Sequence, residues 1–127
     1  MRVVGGGVDL VDVPAFSEQL ADTASGFVDG TFTAGEQRAA KGDPRRLAAR
    51  FAAKEAFVKA WSGSRRGQPP ALATLDMREI EVVDDGYGRP GIRLHGAVEA
   101  AAGAVSAQLS LSHDGPAAVA FVILERA

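Results

Sequence analysis

The chain has 127 residues, 46% of them hydrophobic, and a formal net charge of −2. That size suits one domain with a modest core. It contains no cysteine, which excludes disulfides, a cysteine-held zinc and a thiolate nucleophile, and fits a cytoplasmic setting.

Residues 2–11 read as a first strand with Gly5, Gly6 and Gly7 inside it. Glycines there weaken a strand and mark a bulge or a close approach to another backbone or a ligand. Asp9 stands near the strand's end. This opening stretch has no long apolar core ahead of Asp9 and Asp12, so it does not read as a signal peptide. Pro14 opens a short helix to about Leu20, as proline suits a first helical turn. Thr33-Ala34-Gly35-Glu36 matches a capping box and starts a helix to about Ala40. Asp43-Pro44 is an N-cap followed by a first-turn proline, and it starts a long helix. That helix is expected to run to Ser62 and stop at Gly63.

At about 100° per residue, Leu47, Phe51, Val58 and Trp61 of this helix fall on one stripe, with Glu55 at its edge. A carboxylate turned toward a core is costly unless it is paired or binds a metal. A helix ion pair to Lys59 is one reading of Glu55. The other is a metal ligand: two carboxylates distant in sequence, Asp9 and Glu55, suit Mg²⁺, which takes one or two carboxylates and completes its shell with water and phosphate. Lys54 and Lys59 supply donors for an anionic ligand.

Residues 64–71 read as an exposed loop. Residues 78–84 and 92–94 read as paired strands around a turn at 85–91, and 96–104 as an alanine-rich helix. His95 reads as a surface residue. Residues 106–112 alternate as a strand with one buried face, 114–116 turn, and 117–124 form a buried last strand that is too short to span a bilayer. The expected class is α+β: an antiparallel or mixed sheet packed on one long helix. His113, at a strand end, is either a turn histidine or a phosphate donor or general base beside Asp114. No Gly-x-Ser-x-Gly and no Walker motif occurs.

Charge is unevenly spread: −5 over residues 1–37, +7 over 38–66 and −4 over 67–127. The basic segment suits an anionic ligand or an acidic partner protein. An acidic chain with few aromatics does not fit bulk nucleic-acid binding.

Gly7-Val8-Asp9-Leu10, Phe32-Thr33-x-x-Glu36, Arg50-Phe51-Ala52-Ala53-Lys54-Glu55-Ala56-x-x-Lys59-Ala60 and Leu109-Ser110-Leu111-Ser112-His113 occur in an order and spacing that resembles the small holo-[acyl-carrier-protein] synthases. These are short 4′-phosphopantetheinyl transferases. The resemblance covers nearly the whole chain, and Trp61 to Arg65 look like actinobacterial members. It implies a single transferase domain over 1–127 that moves the 4′-phosphopantetheine arm of coenzyme A to a serine of apo acyl carrier protein. The by-product would be adenosine 3′,5′-bisphosphate, and the setting fatty acid biosynthesis. It implies Mg²⁺ held by Asp9 and Glu55, and coenzyme A bound by Arg50, Lys54, Lys59 and His113. Lys59 would contact the pyrophosphate, and Arg50 and His113 the phosphates of the adenosine end. His113 and Asp114 would be the catalytic candidates. The assembly implied is a homotrimer with active sites between subunits.

One stretch departs from the family. Many members carry basic residues on the first helix to dock the acidic carrier protein, whereas Val13 to Asp22 has none. Docking is then expected through Phe16 and Leu20, or shifted to Arg45, Arg46, Arg65 and Arg66. The competing expectation is a non-catalytic module that binds an acidic protein or a nucleotide through the basic segment.

Overall fold

A computed structural model describes the whole chain, Met1–Ala127. In chain order it forms β1 (Arg2–Asp12), α1 (Val13–Ala21), a 3₁₀ turn (Thr23–Ser25), α2 (Phe27–Thr31), α3 (Ala34–Ala40) and α4 (Pro44–Ser64). A second 3₁₀ turn (Met77–Glu79), β2 (Ile80–Asp84), β3 (Pro90–Leu94), α5 (Gly96–Ala102), β4 (Val105–Asp114) and β5 (Ala117–Arg126) follow. The α+β class holds, and both sheets are antiparallel: one of order β1-β5-β4, the other the β2-β3 hairpin.

The central strand β5 explains how the layers meet. Ala118, Ala120, Val122 and Leu124 alternate along it and are fully buried. They form, with Val11, the sheet face that packs on α4. The helix answers with small side chains: Ala48, Ala49, Ala52, Ala53, Ala56 and Ala60 are all buried. At Gly5 and Gly7, β1 comes so near α4 that an added Cβ would collide with the carbonyls of Ala60 and Ala56. The pairing of β1 with β5 shifts register between Val3 and Gly5, a bulge in the glycine run.

Helix α4 is therefore buried on more than the stripe of large residues. Phe57, outside that stripe, is fully buried, and Phe51 joins Phe16, Phe27 and Phe32 in an aromatic cluster with centroids 5.4–6.4 Å apart. Alanines carry too little hydropathy to announce a buried face. The Thr33–Glu36 capping box and the Asp43 N-cap form as expected.

Several boundaries differ. The helix passes through Gly63 and ends at Arg65, whose N–H bonds to the Ser62 carbonyl; the left-handed glycine is Gly67, φ 82°. Residues 78 and 79, expected to be strand, belong to the 3₁₀ turn Met77–Glu79, because the Asp76 carboxylate accepts from the Arg78 N–H at 3.0 Å and caps it. Helix α5 ends at Ala102, where Gly103 takes φ 71°. The strand β4 includes His113 and Asp114. Helix α2 is absent from the sequence reading, since Val28, Gly30 and Thr31 are weak helix formers. It is held in place by Phe27 in the aromatic cluster.

The far face of the three-stranded sheet is open. Val8, Leu10 and Phe121 are 53%, 71% and 48% exposed there. No helix is long and apolar enough to cross a membrane.

Candidate active site

Two residues after Gly7, β1 presents Asp9. One residue before Ala56, α4 presents Glu55. The close approach at Gly7 and Ala56 thus brings the two carboxylates to one cleft of about 390 Å³, which Asp12, Ala15, Phe16 and Phe51 also line. Burial pushes the Glu55 carboxyl above the usual range, and the Asp9 charge adds to this, while Lys59 partly opposes it. A cation placed between the carboxylates would remove the mutual repulsion, so the donor set fits a hard divalent ion.

Lys59 is the cation beside Asp9. Its Nζ donates to Asp9 Oδ1 and to the Val8 carbonyl, each at 3.0 Å. The local pair with Glu55 is not formed; Lys59 reaches across to β1 instead. Its side chain stays half exposed and keeps a donor for a ligand.

Lys54 corrects the sequence reading. It is 0% exposed, and its three donors are spent on Glu36 Oε1 (2.7 Å), the Met77 carbonyl (2.9 Å) and the Ile80 carbonyl (2.7 Å). Burial lowers the pKa of this ammonium, and the Glu36 charge offsets part of that. No donor is left to offer the anionic ligand expected from the sequence. Its work is to tie α4 to α3 and β2. The missed partner is Glu36, which also accepts the Thr33 N–H (2.9 Å) and the Val82 N–H (2.9 Å). The capping box and the Phe32-Thr33-x-x-Glu36 motif single out Glu36 in the sequence, but neither points to Lys54.

Arg50 and His113 line a second cleft of about 330 Å³ with Arg46, Asp84 and Pro90. Asp84 holds Arg50 by Nη2–Oδ2 at 3.0 Å, and the Arg50 Nε is buried without a partner. His113 pairs with Ala118 across the β4–β5 ladder, on the α4 side, and Asp114 points to the opposite face. Within one chain, then, Asp9, Glu55 and Lys59 form one group and Arg50 and His113 another. At 100° per residue Arg50 and Glu55 project about 140° apart around α4. Asp114 lines neither cleft. Arg46, expected to serve carrier docking, lines this cleft instead; Asp84 was missed, since it lies too far along the chain for local pattern to pair it with Arg50.

The first helix offers no apolar docking surface through Phe16, which is buried in the aromatic cluster; Leu20 is half buried against the same core. Arg45 and Arg46 lie at 3.4 and 3.8 Å from the Asp43 cap.

Comparison with known proteins gives a consistent result. The sequence pattern of the 4′-phosphopantetheinyl transferase superfamily matches residues 5–122. The chain is 48% identical, over 98% of both sequences, to the holo-[acyl-carrier-protein] synthase of Mycobacterium tuberculosis. Its fold superposes with TM-score 0.91 on an ACPS–CoA complex from Chronobacterium ammoniagenes, at 41% identity over 98% of this chain and 97% of that one. It superposes with TM-score 0.76 on a Bacillus anthracis holo-(acyl-carrier-protein) synthase in complex with CoA (3′,5′-ADP), at 29% identity over the full length of both.

Proposed function

Since the chain belongs to the 4′-phosphopantetheinyl transferase superfamily, among its holo-[acyl-carrier-protein] synthases, we propose that it moves the 4′-phosphopantetheine arm of coenzyme A to a serine of apo acyl carrier protein in a Mg²⁺-dependent reaction that serves fatty acid biosynthesis. The observation that carries this reading is the meeting of Asp9 and Glu55 in one cleft, with Lys59 bonded to Asp9 beside it.

Asp9 and Glu55 would hold Mg²⁺, which when bound supplies charge neutralisation at the pyrophosphate. Lys59, anchored on Asp9 and the Val8 carbonyl, orients the same pyrophosphate and screens its charge. Arg50 offers an unpartnered buried Nε and, with Arg46, gives the second cleft cations for the phosphates of the adenosine end, while His113 adds a ring nitrogen that can donate a hydrogen bond. The serine Oγ attacks the β-phosphorus, the bond from that phosphorus to the bridging oxygen breaks, and adenosine 3′,5′-bisphosphate leaves with that oxygen. His113 takes the serine proton.

Arg50 and Glu55 face different sides of α4, so one coenzyme A lying on one chain would not touch both. A site assembled from two copies resolves this. The open apolar face around Val8, Leu10 and Phe121 supplies a surface for such copies to share, in keeping with a homotrimer. Carrier docking falls to exposed cations, Arg45 and Arg66 foremost, because Arg46 and Arg65 line pockets and α1 carries none.

Incubation with apo acyl carrier protein, coenzyme A and Mg²⁺, read by mass spectrometry for the added arm, tests the proposal. Arm transfer that stops with a chelator and returns with Mg²⁺ is the expected result. Ligand binding without product would instead identify a non-catalytic binding module.

A further inference from the structure

Two opposite charges of the second cleft are already paired with each other. Asp84 ends β2, opposite Pro90 in the hairpin register, and its Oδ2 accepts from the Arg50 Nη2 at 3.0 Å. The partners are unequally placed: the Arg50 side chain is 9% exposed and that of Asp84 37%. A buried guanidinium needs a counter-charge, and Asp84 is the carboxylate that supplies it.

The pairing is incomplete. A guanidinium offers Nε and an Nη as a fork that two oxygens of one oxyanion fit. Asp84 engages one nitrogen and leaves the Arg50 Nε buried with no partner. A phosphate monoester carries more charge than a carboxylate near neutral pH and has three acceptor oxygens, so it can serve both nitrogens and displace Asp84. Asp84 is free to yield. It stands at the solvent edge, and the bonds that anchor the hairpin lie toward its other end, at Ile80 and Val82. Its neighbour Asp85 is no substitute, being tied to Arg89 at 2.8 Å.

Resting on the transfer reading, we propose that Asp84 is a built-in competitor for Arg50: it supplies the counter-charge until a ligand phosphate replaces it, and its return speeds the release of adenosine 3′,5′-bisphosphate. That by-product keeps the adenosine-end phosphates of coenzyme A. Affinity for them that captures the substrate equally delays the product, and a carboxylate lining the cleft beside Arg46 and His113 holds that affinity down. Asp84 acts through Arg50 as a positioning residue and takes no part in the proton transfer.

The test uses Asp84→Asn, which keeps the shape and removes the charge. In the full-length protein, Kd and the dissociation rate of adenosine 3′,5′-bisphosphate are measured by calorimetry and stopped flow, beside KM for coenzyme A in the transfer reaction. The variant is expected to bind the bisphosphate at least threefold more tightly and to release it at least threefold more slowly, with a lower coenzyme A KM. In thermal melts, inorganic phosphate should raise its midpoint further than it raises the parent's. Asp84→Ser gives the same contrasts if the Asn variant does not fold. A Kd that rises or stays the same overturns the proposal, since the loss of a residue that only orients Arg50 weakens binding. If the parent protein neither transfers the arm nor binds the bisphosphate, the functional reading itself fails; an active parent whose variants bind the bisphosphate no more tightly rejects the competitor role alone.

Discussion

Gly7 on β1 lies directly beneath the carbonyl of Ala56 on α4, with no room for a side chain between them. This contact sets the distance between the elements that carry Asp9 and Glu55. Gly7→Ala must push strand and helix apart, and overpacking of a tight interface costs about 1–3 kcal/mol. The expected outcome is a lower thermal midpoint together with activity lost out of proportion to the remaining folded fraction. Gly6→Ala is the control, because a Cβ there meets nothing closer than 4.0 Å.

Glu55→Gln separates metal binding from folding. The raised pKa of Glu55, caused first by burial and then by Asp9, means that the metal-free native state holds its proton more tightly than the unfolded chain. Its contribution to stability is complete below the ordinary glutamate range and is lost as pH rises through the raised native value. In the presence of a chelator, the Gln variant should therefore match the parent at low pH and exceed it near neutrality, as followed by thermal melts. With coenzyme A already present, adding Mg²⁺ should raise the midpoint of the parent further and leave that of the variant unmoved, and transfer activity should fall by orders of magnitude. Near-normal turnover in the variant at saturating Mg²⁺ would sink the ligand role.

Lys54→Met should damage the fold rather than the binding of substrate. It leaves Glu36 buried without its cation, a change of about 3–5 kcal/mol. Denaturant unfolding would read the loss. At a temperature where the variant is still folded, its Kd for adenosine 3′,5′-bisphosphate should equal the parent's. A selective loss of ligand affinity with unchanged stability would restore Lys54 to the site.

Phe121→Glu places a charge on the open face of the sheet, beside the exposed Val8 with which it pairs in register. Light scattering should give about three times the 13.1 kDa chain mass for the parent and a smaller species for the variant. Activity should fall with the assembly, as a site shared between copies requires. An active parent monomer at assay concentration would refute that arrangement.

Much of the site could be read from the sequence, because its signals are local. Asp9 after a glycine run, the Asp43-Pro44 start and the Thr33–Glu36 box each declare themselves within a few residues. Glu55 was legible as a carboxylate on an apolar helix edge. What stayed hidden depends on partners distant in sequence. Lys54 looks like any helix lysine until Glu36 is folded against it, and Arg50 does not reveal that Asp84 holds it. The buried alanine face of α4 was invisible for a different reason. Its selection is for smallness, so that β1 can come close, and smallness leaves no trace in a hydrophobic periodicity.

Glu36 has one further effect. Its two oxygens receive a backbone amide of its own helix cap, a backbone amide of β2 and the ammonium of α4. The β2-β3 hairpin belongs to a sheet separate from the main one, yet it cannot fray by itself. Detaching β2 takes the Val82 amide from the Glu36 carboxylate and the Ile80 carbonyl from the Lys54 ammonium, and leaves a buried ion pair short of its partners. Cap, hairpin and central helix must then open as one cooperative unit. In native-state hydrogen exchange the Thr33 and Val82 amides should share one protection factor, despite lying in segments that never touch in sequence.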